Sequence, residues 1–320
     1  MGAVEVNGYT IEPRADLSGA DLSGADLSGA DLRWAYLFQT SFEGADLSGA
    51  DLRWADLREA NLAGANLESA YLNQTDLGRA NLIGANLQSA SLREADLINA
   101  DLTEGDLHEA DLLRANLEGA SVLAANLAKT RLNRANLAGA NLENSNLAGA
   151  NLENSNLAGA NLGEANLGEA YLGEAYLAEA DLSGADLSYA DLSGANLQRA
   201  NLSRASLSQA DLSGADLSGV NFEEACLVYT DLRRADLTGT NLTEADLRGA
   251  NLGGANLTGS VLSGALLGGA NFTGANLGGA DFTGTVSTGR ANFGRATPDE
   301  HTAWPQGCNP NFRTPPSVTG

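Results

Sequence analysis

A five-residue period runs without a gap through most of this chain and limits the folds that are open to it. From Ala15 to Gly284 the pattern A-(D/N)-L-x-x recurs 54 times in one frame. Its middle position is large and apolar, nearly always Leu, and the position two before it is nearly always Ala or another small residue. A fold that uses this pattern must therefore bury one large and one small side chain from every repeat.

Neither a helix nor a straight strand can bury these leucines together. Five residues advance about 500° along an α-helix, so successive leucines would spread around its axis. In a strand, Ala and Leu two apart share a face, but an odd period turns the next Leu to the opposite face. The chain must therefore turn once in every repeat. Short extended pieces joined by turns predict a coil that stacks on itself as a solenoid.

The repeats A-D-L-S-G, A-N-L-E-N and A-D-L-R-W resemble those of the pentapeptide-repeat proteins, and the resemblance covers residues 15–284. It implies an all-β fold, a right-handed quadrilateral parallel β-helix with four repeats in each coil. Arg33-Trp34 recurs one such coil later as Arg53-Trp54, which independently supports that coil length. The 54 repeats then make about 13.5 coils, or a rod of roughly 65 Å at the spacing of paired strands.

The two ends of the chain depart from the repeat and are expected to close the solenoid. Residues 1–14 predict an N-terminal cap over the first leucines, because an open solenoid end would associate with other ends. Residues 15–285 form the predicted β-helix. In residues 286–320 the frame slips by one residue and a proline-rich tail follows, whose Trp304 and Phe312 are expected to cap the second end.

Composition and charge exclude several classes of function. Acidic residues outnumber basic residues by 41 to 18, giving a net charge of −23, which argues against direct binding to nucleic acid or to an anionic membrane. The two Cys and two His form no metal-type spacing and no catalytic set, so no enzyme activity, metal or cofactor is expected. No secretion signal and no membrane-spanning run is found, which predicts a cytoplasmic protein or one incorporated in a particle assembled there.

With four repeats per coil, the charges sort unequally onto four faces, named here by their first leucines, Leu17, Leu22, Leu27 and Leu32. The Leu22 face carries eleven acidic residues and one basic residue, whereas the Leu32 face carries nine acidic and eight basic residues and is nearly neutral. Aromatic residues beside arginines are typical of protein interfaces. The alternative is a ladder of surface side chains that only stabilises neighbouring coils. The candidate interaction residues on the Leu32 face are Arg33, Trp34, Arg53, Trp54, Tyr71, Arg93, Arg114, Arg131, Arg134, Tyr171, Arg233 and Arg234.

Two functions fit this sequence. The first is a non-enzymatic protein-interaction or structural rod that binds a protein partner with a cationic surface, such as a component of a larger assembly like a virion. The second follows from the resemblance: a DNA mimic that binds DNA gyrase or topoisomerase IV and modulates it or protects it from poisons, with a homodimer left open. Binding of a mimic should weaken steeply with salt. Its candidate residues on the Leu22 face are Asp21, Glu43, Asp101, Glu104, Glu143, Glu164, Asp181, Glu223, Glu224 and Glu244.

Overall fold

The computed structural model describes residues 4–286 and 290–305, and the chain falls into two compact units, residues 1–166 (unit 1) and residues 167–320 (unit 2). Two regular strands, β1 (Val4–Val6) and β2 (Tyr9–Ile11), precede the repeats. Beyond them each repeat contributes a single bridging residue and a two-residue turn, and the described residues contain no α-helix. Each unit is thus a β-helical solenoid, as the resemblance implies.

All five backbone N–H groups of the repeat formed by residues 45–49 have an acceptor. Asp46 and Leu47 donate to backbone carbonyls 2.9 and 2.7 Å away, in the preceding and following coils respectively. Gly49 donates to Glu68 of the following coil at 2.9 Å, while Ala45 donates at 2.9 Å to Phe42 within the turn. The fifth N–H, that of Ser48, donates to the Oδ1 atom of Asp46 at 2.9 Å. The hydrogen-bonding demand of this repeat's backbone donors is therefore met by neighbouring coils and by its own turn.

The recurring Asp or Asn is explained by this fifth hydrogen bond. The residue after each Leu sits in the turn, where a short Asx side chain two positions earlier can accept from its N–H. The same bond occurs from Ser18 to Asp16 and from Ala63 to Asn61, at 3.2 Å each. Asp and Asn therefore recur at this position because they complete the turn.

A positive φ is the second requirement of each turn. The last residue of every repeat from 15 to 284 has φ between about +53° and +78°. The residue after it, usually Ala, closes the turn by donating its backbone N–H to the carbonyl of the central residue three positions earlier. A φ above zero at the third residue of a hydrogen-bonded turn is the geometry of a type II turn, for which glycine is preferred. More than half of the repeats nevertheless carry another residue there, such as Trp34 or Glu94.

Unit 1 begins with the antiparallel hairpin of β1 and β2, closed by Asn7 and Gly8 with φ values of 51° and 81°. An Asn-Gly pair favours this two-residue turn because both residues tolerate a positive φ. Ile11 of β2 is buried at the end of the solenoid. Parallel bridges then join residues twenty positions apart, from Asp16 with Tyr36 to Asn146 with Asn166. Repeats that are four apart in the sequence therefore stack on one another. Each such stack keeps the face name that was given to it from the sequence.

The core of each unit is formed by the two apolar positions of the repeat. Central residues such as Leu82 in unit 1 and Leu212 in unit 2 are fully buried, and the small position is buried almost as completely. Where Thr replaces Ala, its hydroxyl is satisfied by a carbonyl: Thr40 donates to Leu17 at 2.7 Å and Thr230 donates to Leu207 at 2.7 Å. The small position therefore tolerates a buried hydroxyl that has a carbonyl acceptor.

Unit 2 repeats the twenty-residue spacing from Tyr171 with Asp191 to Leu266 with Val286, and then the spacing changes. Asn271 pairs with Asn292 and Asn276 with Thr297, both 21 positions apart, and Asp281 pairs with Ala303. Half-buried aromatic rings cover buried ones here: Phe293 stacks on Phe272 at 4.8 Å between centroids, and Trp304 stacks on Phe282 at 4.9 Å. Phe312, the other predicted cap residue, lies outside the described residues.

Candidate interaction surface

The Leu32 face of unit 1 carries a pair of stacked indoles. Trp34 and Trp54 occupy the last turn position of consecutive coils, and their ring centroids lie 4.8 Å apart with an angle of 7° between planes. They remain 41% and 39% exposed. Since stacked coils are about 4.8 Å apart, identical ring conformations in successive coils necessarily stack. The structure therefore brings these two predicted residues together and leaves their edges open to solvent.

Guanidinium groups surround the indole pair. The Cζ atoms of Arg14 and Arg33 lie 5.5 and 5.7 Å from the ring centroid of Trp34. Arg53 lies 5.4 Å from Trp54 and 5.9 Å from Tyr71. These distances are within the range of cation–π attraction. Arg14 belongs to the segment predicted as a cap, and it was missed as a site residue although it stands twenty positions before Trp34.

The charges of Arg33 and Arg53 are compensated on the same face. Each guanidinium donates two hydrogen bonds to the carboxylate two residues before it, Arg33 to Asp31 at 2.8 and 2.7 Å and Arg53 to Asp51 at 2.8 and 2.6 Å. The hydrogen bond from Arg33 lowers the pKa of Asp31, which keeps that carboxylate ionised. The indoles are thus framed by fixed, neutralised ion pairs.

The column of last turn positions continues beyond the indoles with polar residues. The Nε1 atom of Trp54 donates to Oε1 of Gln74, Gln74 donates to Glu94 at 2.8 Å, and Arg114 lies 3.6 Å from Glu94. Gln74 and Glu94 were not predicted as site residues. A search for residues at twenty-residue spacing from Trp34 would have found both, since such residues are neighbours in consecutive coils.

The remaining arginines of this face in unit 1 lie away from the indoles. Arg93 and Arg131 converge on the carboxylate of Asp111, at 2.6 and 2.8 Å. Arg134 forms no ion pair among the described residues. These two ion pairs link neighbouring coils, the arrangement that the alternative interpretation of this face describes, whereas the side chains of Trp34 and Trp54 remain partly exposed.

The Leu32 face of unit 2 is organised differently. Tyr171 is exposed and lies three coils from Arg233, which forms an ion pair with Asp231 at 2.5 Å. Arg234 forms no ion pair within the described residues. It borders a depression of about 470 Å³ that is also lined by Ser213, Gly214, Arg233 and Gly253. The predicted residues of this unit therefore do not form one cluster.

The acids of the Leu22 face in unit 1 are unevenly distributed. Asp21 and Glu43 lie near one end, and the next acids are Asp101 and Glu104. Between them Asn81 donates to Asn61 at 3.0 Å, and Ile83 is 41% exposed. Further along, Glu143 accepts a hydrogen bond from Asn161 at 3.2 Å, and Glu164 is exposed. A neutral gap thus interrupts the predicted acidic surface.

In unit 2, the predicted acids of the Leu22 face are partly compensated. Asp181 accepts a hydrogen bond from Asn201 at 3.0 Å, and Glu224 pairs with Arg204 at 3.3 Å. Glu223 and Glu244 are exposed.

Groups of His, Cys, Asp or Glu that could hold a metal ion are absent from the part of the chain that the structure describes. A search of the same residues finds no helix of the length and hydropathy needed to cross a membrane.

Comparison with protein families matches the chain to the model described as pentapeptide repeats, in eight copies. The match extends over more than half of the chain. A comparison with curated proteins gives no match. The matched residues include 15–53, 50–88, 80–119, 124–163, 155–194, 215–254 and 250–286.

Among solved structures, the chain is similar to HetL from the cyanobacterium Nostoc sp. strain PCC 7120, a pentapeptide repeat protein involved in heterocyst differentiation regulation. The two are 34% identical over 85% of this chain and 90% of HetL, with a TM-score of 0.40. Rfr23 from the cyanobacterium Cyanothece 51142 is 39% identical over 31% of this chain and 63% of its own, with a TM-score of 0.26. QnrB1, a plasmid-mediated fluoroquinolone resistance protein, is 22% identical over 55% and 90%, with a TM-score of 0.44.

Proposed function

Because this chain belongs to the family of pentapeptide-repeat proteins, we propose that it is a non-enzymatic protein-interaction protein whose partner docks on the Leu32 face of unit 1. The observation that carries this proposal is the exposed stack of Trp34 and Trp54 between guanidinium groups. Trp and Arg are enriched among the residues that dominate binding energy at protein interfaces. The partner surface should be apolar at its centre and polar at its rim.

The geometry of the stack favours binding because little has to be ordered on association. Each indole is already held by its neighbour and by a guanidinium, so the side-chain entropy lost on binding is small. Arg33 and Arg53 are paired with Asp31 and Asp51, so a partner need not supply a compensating acid. This surface is close to neutral on a chain of net charge −23, and long-range repulsion of acidic partners is weakest there.

We also propose a handedness, a number of sides, a coil count and residue boundaries for the solenoid. We take residues 15–285 to form a right-handed, four-sided solenoid of about 13.5 coils, with residues 1–14 and 286–320 as its end segments. The twenty-residue bridge spacing within each unit supports a coil of four repeats. The changed spacing after Val286 supports the C-terminal boundary.

The DNA-mimic alternative is supported by the net charge and by the ionised state of Asp21. The pKa of Asp21 is lowered by hydrogen bonds from the side chain and then the backbone of Ser23. Against this alternative, the Leu22 face of unit 1 is interrupted where Asn61, Asn81 and Ile83 replace acids. A DNA duplex presents one charge per about 1.7 Å without such gaps. We therefore favour the Leu32 face as the docking surface.

The proposed function is tested by capture of the partner with matched variants. The double variant Trp34→Ala/Trp54→Ala should lose a cellular protein that the wild-type chain retains, identified by quantitative mass spectrometry. Tyr36→Ala is the control, since Tyr36 is an exposed aromatic residue of unit 1 that lies outside the Leu32 face. Equal retention by all three proteins would contradict docking on the indoles.

A supercoiling assay with purified bacterial DNA gyrase separates the two functions. The interaction protein should leave gyrase unaffected at tens of micromolar, with or without a fluoroquinolone. Inhibition or drug protection that disappears at high salt and persists in the Trp34→Ala/Trp54→Ala variant would instead support the DNA mimic.

A further inference from the structure

Unit 2 carries a second aromatic column, on the Leu27 face. Tyr189, Gln209 and Tyr229 occupy the last turn position of three consecutive coils. The backbone N–H of each residue donates at 3.0 Å to a carbonyl of the following coil, so the three residues are stacked in the order of the sequence. The two tyrosines are among the most exposed large side chains of the described residues, at 59% and 70%. We propose that this column binds a proline-rich segment of another protein in the polyproline II conformation.

The spacing of the two tyrosines matches the pitch of the proposed ligand. The backbone positions of Tyr189 and Tyr229 are two coil steps apart, which corresponds to about 9.6 Å at the spacing of paired strands. A polyproline II helix has three residues per turn and rises 3.1 Å per residue, so it repeats about every 9.3 Å. Prolines three apart can therefore contact Tyr189 and Tyr229 in turn. The indoles of unit 1 cannot act this way, because they are in consecutive coils and stack on each other.

The rings are positioned before any ligand binds. The Tyr229 ring lies across the backbone of Gly249: a Cβ atom built on that glycine would lie 2.5 Å from both Cδ1 and Cε1 of the ring. One face of Tyr229 therefore rests on the following coil, and the other face is open. Tyr189 is held by Gln209, whose Nε2 atom donates to the tyrosine hydroxyl at 2.9 Å.

The chemistry around the column suits an uncharged, carbonyl-rich ligand. The side-chain amide of Gln209 has a second N–H that can donate to a peptide carbonyl, and the carbonyls of a polyproline II chain have no internal partners. Ser208 and Val228 beside the column carry no charge, and Arg248 is neutralised by Asp246 at 2.5 Å. The exposed Glu169, one coil before Tyr189, marks the end of this uncharged stretch. Aromatic rings with interspersed hydrogen-bond donors are the means by which proline-rich segments are recognised.

The test uses the full chain and a fluorescent synthetic peptide of about nine prolines, enough for three turns. Fluorescence anisotropy should detect binding at submillimolar concentration. Tyr229→Ala should weaken it about tenfold, the effect of removing a central aromatic contact. A peptide of the same length with alternating Gly and Ser should not bind. The Trp34→Ala/Trp54→Ala variant should bind normally, so this result is independent of the function proposed for unit 1.

Gly249→Ala provides the sharper variant, because it displaces the Tyr229 ring without removing it. Gly259→Ala is its control: both glycines have positive φ, at 71° and 67°, but a Cβ on Gly259 meets nothing within 4 Å. Gly249→Ala should weaken peptide binding severalfold, and Gly259→Ala should not. Absence of binding by the folded wild type, or equal affinity for Tyr229→Ala and wild type, would overturn the proposal.

Discussion

The last turn position of the Leu32 face is filled very differently in the two units. In unit 1 it is occupied by Arg14, Trp34, Trp54, Gln74 and Glu94, each in contact with the next. In unit 2 the equivalent residues are Glu174, Gly194, Gly214, Arg234 and Gly254. All ten have positive φ, so the backbone is the same in both columns. The fold therefore sets the backbone conformation at this position, and the side chains account for the difference between the two surfaces.

The interior shows no such difference. Leu112 of unit 1 and Leu212 of unit 2 are central residues of the same face, and both are fully buried. Their turns close in the same way, with Ala115 and Ala215 donating to the respective leucine at 2.9 and 3.1 Å. The units can thus be compared with the core held constant, and each prediction below changes one side of that comparison.

The largest effect is expected from the core, and it should be the same in both units. Leu112→Ala and Leu212→Ala each remove a fully buried side chain and leave a cavity, at a cost of about 2–5 kcal/mol. Urea unfolding followed by circular dichroism measures this loss, with Ser213→Ala as a surface control. A loss confined to one variant would show that the two interiors are not equivalent.

A smaller effect, confined to unit 1, is expected from the indole stack. Trp54→Ala removes the stacking on Trp34 and should cost roughly 1 kcal/mol, the value of an aromatic pair. Arg234→Ala in unit 2 should change stability by less than about 0.5 kcal/mol, since its column neighbours are glycines. The urea midpoints of Trp54→Ala and Arg234→Ala, each compared with that of the wild type, test this difference. Equal shifts of the two midpoints would refute it.

The indole column should be transferable to unit 2. Gly194→Trp/Gly214→Trp places two indoles one coil apart at positions whose backbone already has the required φ of 66° and 69°. A residue other than glycine is strained there by about 1 kcal/mol, but removing glycine also lowers the entropy of the unfolded chain. Stability should therefore change by no more than about 1 kcal/mol.

The transferred stack can be observed directly if the change is made in the Trp34→Ala/Trp54→Ala background. The exciton couplet of stacked indoles in circular dichroism should be absent from the background protein and return in the quadruple variant. A folded quadruple variant without the couplet would mean that the geometry of unit 1 depends on more than coil spacing.

The smallest effect is expected from the ion pairs that frame the indoles. The hydrogen bond from Arg33 lowers the pKa of Asp31 in the folded chain. A lowered carboxyl pKa stabilises the fold above the unfolded value of about 3.9, and this contribution disappears as pH falls through the folded value. Below about pH 4 the melting temperature of the wild type should fall slightly more steeply than that of Arg33→Ala. Parallel curves would show that solvent screens the pair completely.

Much of the candidate surface could be predicted once the coil length was assumed. Trp34 and Trp54 were placed together because they are twenty positions apart, and the structure stacks them. Arg14, Gln74 and Glu94 obey the same spacing but were overlooked, since Arg14 was assigned to the end segment and the other two are not typical of interfaces. The tyrosine column of unit 2 was overlooked because Tyr189 and Tyr229 are separated by a coil that carries Gln209.

The class of fold follows from the repeat pattern alone, because a period of five with one large and one small apolar residue is compatible with a stacked coil and not with a helix or straight strand. Which surface groups remain exposed and unpaired does not follow from the pattern and depends on the folded structure. Whether an arginine is bound by a carboxylate, as Arg33 is by Asp31, or borders an open depression, as Arg234 does, depends on side-chain conformations and on the residues of neighbouring coils. These contacts join residues that are close in space but about twenty positions apart, so the repeat pattern specifies their proximity and not their geometry.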